Sequence, residues 1–293
     1  MIEKSITLPD GRLLGYGLYG NPLGIPILDF HGIPGSRCEA ALIASSLKRD
    51  DLCFIGFDRP GYGISTPKRN YKIIDIPADV AALVDHLNLQ RFIALGFSGG
   101  GPFALACAAQ MPERLAATGV VSGVGPSEVG SDGMHDSNKK KFNLAQRMPA
   151  LARMMLQAGF TNLRRHPDQL GLQLNKLWQQ IPEADQKVLQ HEDFSQGIMD
   201  ITLDAIRQTV TGWVDEEILM TRPWQFNLAD LQAENLFLWH GEKDRNVPIS
   251  MAKATAERIP GCQAKFLPDE GHLSLLYNHG EEIISTLVKA SGL

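Results

Sequence analysis

Cysteine is scarce in this sequence of 293 residues: Cys38, Cys53, Cys107 and Cys262 are scattered, and no two form a C-x-x-C pair. That spacing reads against a disulfide framework or a zinc knuckle, and the four are expected to be reduced, mostly buried thiols. No H-E-x-x-H and no cysteine-histidine cluster occurs, so no metal site is expected. Net charge is also small, with 28 basic against 33 acidic residues. Such a balance gives no general electrostatic case for nucleic acid or for an anionic membrane as a partner. The basic run Lys139-Lys140-Lys141 reads as a solvated helix face. Long apolar runs are missing too. The opening residues hold no stretch of signal-peptide length and nothing later approaches a membrane span, so a cytoplasmic protein is the expectation. There is no internal repeat and no low-complexity tail.

What the chain does contain is concentrated between Arg91 and Gln110: an apolar strand, an abrupt glycine turn holding one serine, and an alanine-rich helix. Gly96-Phe97-Ser98-Gly99-Gly100 has the G-x-S-x-G form of a nucleophile elbow, in the strand-turn-helix context the motif requires. In such a turn the residues two before and two after the serine crowd its backbone, and both here are glycine. The turn would expose the Ser98 hydroxyl above the strand ends and aim the Gly99 amide at the same spot. A rival pattern, G-x-G-x-x-A, spans Gly99 to Ala104. It lacks the ribose-binding carboxylate expected about 20 residues on, and Pro102 has no N–H for a phosphate.

Strands and helices alternate around this centre. Ser5 to Leu8 and Arg12 to Tyr19 predict a hairpin across Pro9-Asp10-Gly11. Ile25 to Phe30 and Leu52 to Phe57 read as buried strands, Ile74 to Leu87 as a helix, and Leu115 to Ser122 as the strand after the elbow helix. From about Ser127 to Arg222 only helical patterns appear: Lys139 to Met148, Pro149 to Ala158, Asp168 to Gln180, Pro182 to His191 and Gln196 to Val214. The strands Asn235 to His240 and Ala264 to Leu267 then resume the alternation. The pattern predicts an α/β fold with a mostly parallel central sheet covered by helices on both faces. Residues 1–126 and 223–293 would form the core and 127–222 an inserted helical cap. Met148, Leu151, Met154, Met155, Phe160, Leu163, Leu174, Leu177, Trp178, Trp213 and Trp224 are candidates to line a pocket beneath it.

An alcohol is a poor nucleophile at neutral pH, so Ser98 needs a neutral imidazole to take its proton and a carboxylate to orient the imidazole. His272 follows the last strand and Asp244 the strand before it, which puts both loops on the elbow's edge of a parallel sheet. The order Ser98, Asp244, His272 is nucleophile, acid, base. Asp269, Glu270 and Asp58 are weaker candidates for the acid, Asp58 being expected to pair locally with Arg59. His31 and His240 read as structural. The loop His31-Gly32-Ile33-Pro34-Gly35 would supply the second oxyanion donor from the Ile33 amide; its alternative reading is simply a tight turn with a cis Ile33-Pro34 bond. Ile33 and Phe97 are the candidate substrate-binding side chains.

The ordered set of these loops, with Asp58-Arg59-Pro60-Gly61-Tyr62-Gly63-Ile64-Ser65, Gly241-x-x-Asp244 and Gly271-His272, resembles the α/β-hydrolase superfamily. It is closest to the capped branch that holds proline iminopeptidase-like, haloperoxidase-like and small-ester hydrolases. The resemblance implies a serine hydrolase acting on a small-molecule substrate through an acyl-enzyme, without a cofactor. Serine at 98 departs from the aspartate of epoxide hydrolases and haloalkane dehalogenases, and isoleucine at 33 departs from the H-G-G-P-G of iminopeptidases. An aminopeptidase would need cap carboxylates for a substrate amine, for which Asp200, Asp204 and Glu216 are candidates. A ligand-binding protein that keeps the fold without the reaction is the alternative from another class.

Overall fold

The computed structural model describes residues 3–169, 171–172, 181–231 and 234–293. Eight strands form one sheet in the order β1-β2-β4-β3-β5-β6-β7-β8. They are β1 Lys4–Thr7, β2 Leu13–Gly20, β3 Ile25–Phe30, β4 Leu52–Phe57, β5 Phe92–Phe97, β6 Leu115–Val121, β7 Leu236–Gly241 and β8 Gln263–Leu267. The first two pairings, β1 with β2 and β2 with β4, are antiparallel. Every later pairing is parallel.

The central strands show why the sheet is double-faced. On β3 and β5, Leu28, Phe30, Phe92 and Ala94 face one side, packing with Val80 and Leu83 of α2 (Ile76–His86) and Phe103 of α3 (Gly101–Gln110). Ile27, Ile93 and Leu95 face the other, against Ile43 of α1 (Glu39–Leu47) and Ile283, Ile284 and Leu287 of α10 (Ser274–Ser291). Both faces of these strands must be apolar because both are covered, which is the condition for a parallel sheet. The hairpin turns at Gly11, whose φ of 84° suits glycine.

Between β6 and β7 the described elements are helical: α4 Asp136–Arg147, α5 Pro149–Arg165, α6 Glu183–Val188, α7 Glu192–Ala205 and α8 Thr211–Leu219, with short 3₁₀ turns. After β7 comes α9, Ile249–Arg258. Two expectations change here. The helix beginning at Pro149 runs past Gly159, where a Cβ would meet nothing, because Phe160 and Leu163 continue its inward face. The helix expected from Gln196 to Val214 is two helices. The loop after β4 docks at the break: Gly63 N donates to Ala205 O at 3.2 Å and Gly212 N donates to Gly61 O at 3.3 Å. A Cβ on Gly61 would lie 2.7 Å from Gly212 N, so the two chains touch backbone to backbone. The helix expected from Asp168 to Gln180 falls largely outside the described residues, and Leu174, Leu177 and Trp178 with it. No helix among the described residues is long and apolar enough to cross a membrane.

A fully buried ion pair joins this helical segment to the core. Arg59 and Glu216 are both fully buried, with Nε to Oε1 at 2.6 Å and Nη2 to Oε2 at 2.7 Å. Tyr62 and Tyr71 donate to the same carboxylate at 3.0 and 2.8 Å. The local Asp58–Arg59 pair expected from their adjacency therefore does not form. Asp58 binds Arg37 instead, Nη1 to Oδ2 at 2.8 Å, and accepts the amides of Arg37 and Ile64. Adjacent residues near a strand end point to opposite faces, so each finds its partner across the fold. Glu216→Ala would strand a buried guanidinium, and we expect a loss of about 3–5 kcal/mol in urea unfolding. A loss below ~1 kcal/mol would show that the pair does not anchor the segment.

Candidate active site

The chain turns at the C-terminal end of β5 through a single 3₁₀ turn, Ser98–Gly100, into α3. Ser98 adopts φ 53°, the left-handed region that non-glycine residues rarely occupy. The crowding is measurable. A Cβ on Gly96 would lie 2.8 Å from the Gly101 Cα, and one on Gly100 only 1.7 Å from the Phe30 carbonyl oxygen. Close packing thus accounts for these glycines, and the two glycines of the dinucleotide pattern are closed in as well, a Cβ on Gly99 meeting Ile33 Cδ1 at 2.3 Å and one on Gly101 meeting Val120 Cγ1 at 3.0 Å.

Two loops on the same sheet edge reach Ser98. His272 Nε2 lies 3.0 Å from Ser98 Oγ, and His272 Nδ1 lies 2.6 Å from Asp244 Oδ2. The other Asp244 oxygen accepts the amides of Asn246 and Val247 at 2.8 and 2.9 Å, which fixes the carboxylate in the loop after β7. Burial alone would lower the His272 pKa, but the Asp244 charge and hydrogen bond outweigh it and raise it. His240 lies 3.5 Å from Asp244 and shares its Nε2 with the Val247 carbonyl at 2.8 Å, and burial lowers its pKa.

The loop after β3 forms the other wall. Ile33, cis to Pro34, lays its side chain over Gly99, where an added Cβ would meet Ile33 Cδ1 at 2.3 Å. His31 is fully buried, with burial and the Arg59 charge lowering its pKa well below the usual value. The neutral ring donates from Nδ1 to Gly32 O at 2.8 Å and accepts the Arg59 amide at Nε2, at 3.4 Å. Arg59 also donates to the carbonyls of His31 and Gly32, at 2.6 and 3.2 Å.

Above Ser98 opens a cavity of about 550 Å³. Ile33 and Phe97 both line it, as do Phe160, Leu163 and Trp213 from the helices between β6 and β7. Phe160 and Trp213 stack with ring centroids 3.6 Å apart. Other apolar candidates lie elsewhere: Met148, Met154 and Met155 are exposed, Leu151 is not on the lining, and Trp224 packs with Phe226 against the core. Lys141, expected on a solvated face, lines the cavity and pairs with Glu217 at 2.9 Å. The weaker acid candidates are remote, Asp269 paired with Lys243 at the surface and Glu270 with His279.

Two residues that sequence patterns did not mark also shape the site. Asp185 of α6 is buried and accepts the amides of His272, Leu273 and Ser274 at 2.8–2.9 Å, capping α10 and fixing the His272 backbone. Glu39 of α1 accepts the Gly32 amide at 3.0 and 3.2 Å and lines the cavity. Locally, each is an acidic residue in the first turn of a helix. Such a residue signals helix-dipole compensation and nothing more.

The model for the alpha/beta hydrolase fold matches residues 25–279. The chain belongs to that family. Among relatives, 116 residues are 34% identical to a proline iminopeptidase of Xylella fastidiosa, covering 37% of this chain and 36% of that protein. Over 130 residues it is 34% identical to a non-heme chloroperoxidase of Streptomyces lividans, covering 44% and 47%. The chain thus matches less than half the length of these relatives. Among solved structures, a thermophilic esterase from Thermogutta terrifontis superposes with a TM-score of 0.69 at 21% identity, over 99% of this chain and 97% of that one. A bromoperoxidase from Bacillus anthracis gives 0.70 at 20% identity over the whole of both chains. At such identities the likeness is one of fold.

The His272 environment makes a prediction independent of any substrate. Its ring, followed by NMR, should titrate above 6.5, and Asp244→Asn should bring the midpoint down, because burial is then opposed only by the smaller effects of the Asp185 and Glu39 charges. An unchanged midpoint in the variant would mean that Asp244 does not hold the imidazolium.

Proposed function

We propose that the protein is a serine hydrolase that cleaves a small, largely apolar ester through an acyl-enzyme. The observation that carries this is the unbroken chain Ser98 Oγ to His272 Nε2 at 3.0 Å and His272 Nδ1 to Asp244 Oδ2 at 2.6 Å, set at the floor of a cavity with mostly apolar walls. Ser98 attacks the ester carbonyl as His272 takes its proton, and Asp244 holds the ring in the tautomer that accepts at Nε2. The amides of Ile33 and Gly99 receive the developing oxyanion. His272 then gives the proton to the leaving alcohol, and water, activated by the same imidazole, clears the acyl group from Ser98. This acyl transfer requires no cofactor. The helical segment over the cavity acts as a cap, and Ile33 and Phe97 contact the acyl chain.

The ester reading is favoured over an aminopeptidase by where the three cap carboxylates lie. Glu216 is consumed by Arg59, Asp204 pairs with Arg37 at 2.8 Å, and Asp200 accepts from Gln196 at 2.8 Å. None of the three lines the cavity.

On p-nitrophenyl esters, each added acyl methylene should contribute about 0.8 kcal/mol, raising kcat/KM several-fold per carbon until the cavity is full. Ser98→Ala and His272→Ala should each lower kcat by a factor on the order of 10⁴, with the double variant little worse. Faster turnover of prolyl or alanyl p-nitroanilides than of butanoyl or hexanoyl esters would overturn the ester assignment, and additive losses would overturn the shared role of the two residues.

A further inference from the structure

The buried carboxylates of this protein differ in how well they are compensated. Asp58 has a guanidinium and two amides, Asp244 an imidazole and two amides, Asp185 three amides, and Glu216 a guanidinium and two phenols. Glu39 is the exception on the cavity wall. Its side chain belongs to a residue 8% exposed, and its two oxygens share the single N–H of Gly32 at 3.2 and 3.0 Å. Among the described residues it forms no ion pair. The charged groups that face it are Arg59 behind the loop, His272 across the site and Asp29 of β3, itself fully buried. Burial dominates this balance and pushes the Glu39 carboxyl up to about 7.

Position matters as much as charge. Glu39 Oε2 and Ser98 Cβ each lie 3.6 Å from the point that a Cβ on Gly32 would occupy, with the Phe97 ring at 3.4 Å. The carboxyl therefore lies within twice 3.6 Å of Ser98 Cβ, on the cavity wall made by Gly32 and Phe97. In the tetrahedral intermediate the oxyanion must face the amides of Ile33 and Gly99, and the leaving oxygen must face His272 Nε2. The substituent left for the Glu39 wall is the acyl chain. A buried carboxyl with spare lone pairs is costly until a ligand brings a donor to it, and it discriminates against a ligand that lacks one.

We infer that Glu39 is a specificity-determining residue, whose carboxyl group receives a hydrogen-bond donor, hydroxyl or ammonium, carried on the acyl chain close to the carbonyl. This rests on the ester-hydrolase reading and narrows it from an apolar acyl group to one that is apolar beyond a single donor near the carbonyl. No step of the reaction changes. The donor positions the acyl chain while Ser98, His272 and Asp244 do the chemistry.

The test compares kcat/KM for p-nitrophenyl butanoate, 3-hydroxybutanoate and 3-aminobutanoate, as ratios within each protein. Wild type should favour at least one donor-bearing ester by about tenfold or more over butanoate, the range of a hydrogen bond to a charged group. Preference for the hydroxyl alone identifies a neutral donor. Preference for the amine, strengthening as the pH rises through 7 while the amine stays protonated, identifies a cation. Glu39→Leu should bring the ratio to one or below. Should that variant fail to fold, Glu39→Gln keeps the shape and an acceptor, and should abolish a preference for the amine and weaken one for the hydroxyl. Butanoate turnover without a donor preference in wild type, or a preference that survives both substitutions, overturns the role of Glu39 alone. Folded protein that turns over none of the three esters overturns it together with the hydrolase reading.

Discussion

Arg59 has no contact with solvent, and three of the parts that frame the site bear on it. It donates to Glu216 of α8 and to the carbonyls of His31 and Gly32, and its guanidinium lies 4.6 Å from the ring centroid of Phe103 on α3. The helix that follows the serine, the loop that carries Ile33 and the helical segment over the cavity are thereby fixed to one cation. A buried guanidinium tolerates this only if its donors are satisfied, which is why Glu216 is itself braced by two tyrosines. The same arrangement keeps His31 neutral, so its ring can accept the Arg59 amide and lock the loop from the other side.

The electrostatics of the site divide along the same line. On the far side of Ser98, Asp244 is well supplied with donors, and its charge and hydrogen bond raise the His272 pKa against the pull of burial. On the near side, Glu39 and Asp29 are poorly supplied, and burial raises both. One carboxylate has a donor set of an imidazole and two amides and the other a single shared amide, a separation of environments that lets neighbouring acids take different tasks.

Much of this was legible in the sequence because it is carried by short-range rules. The boundaries of β3 and β4 follow from apolar runs that must be buried on both faces. Gly96 and Gly100 follow from the steric demands of a left-handed serine, and the order of Ser98, Asp244 and His272 follows from which loops share a sheet edge. What the sequence hid is long-range pairing. Asp58 and Arg59 are neighbours that look like partners, yet their side chains leave the strand end in opposite directions and bind Arg37 and Glu216. The break between α7 and α8 has no helix-breaking proline. It is made by the backbone of Gly61 and Gly63 arriving from a loop about 150 residues earlier, a tertiary contact that overrides local propensity. Asp185 and Glu39 look like ordinary first-turn acids until the fold brings His272 and Gly32 to them.

The central claim is that Ser98 becomes the covalent attachment point because His272 activates it. Labelling with a fluorophosphonate, followed by peptide mass mapping, tests it directly. The account predicts one adduct, on Ser98, forming in wild type and nearly abolished in folded His272→Ala. An adduct on another residue, or labelling of Ser98 that is as fast without His272, would contradict it.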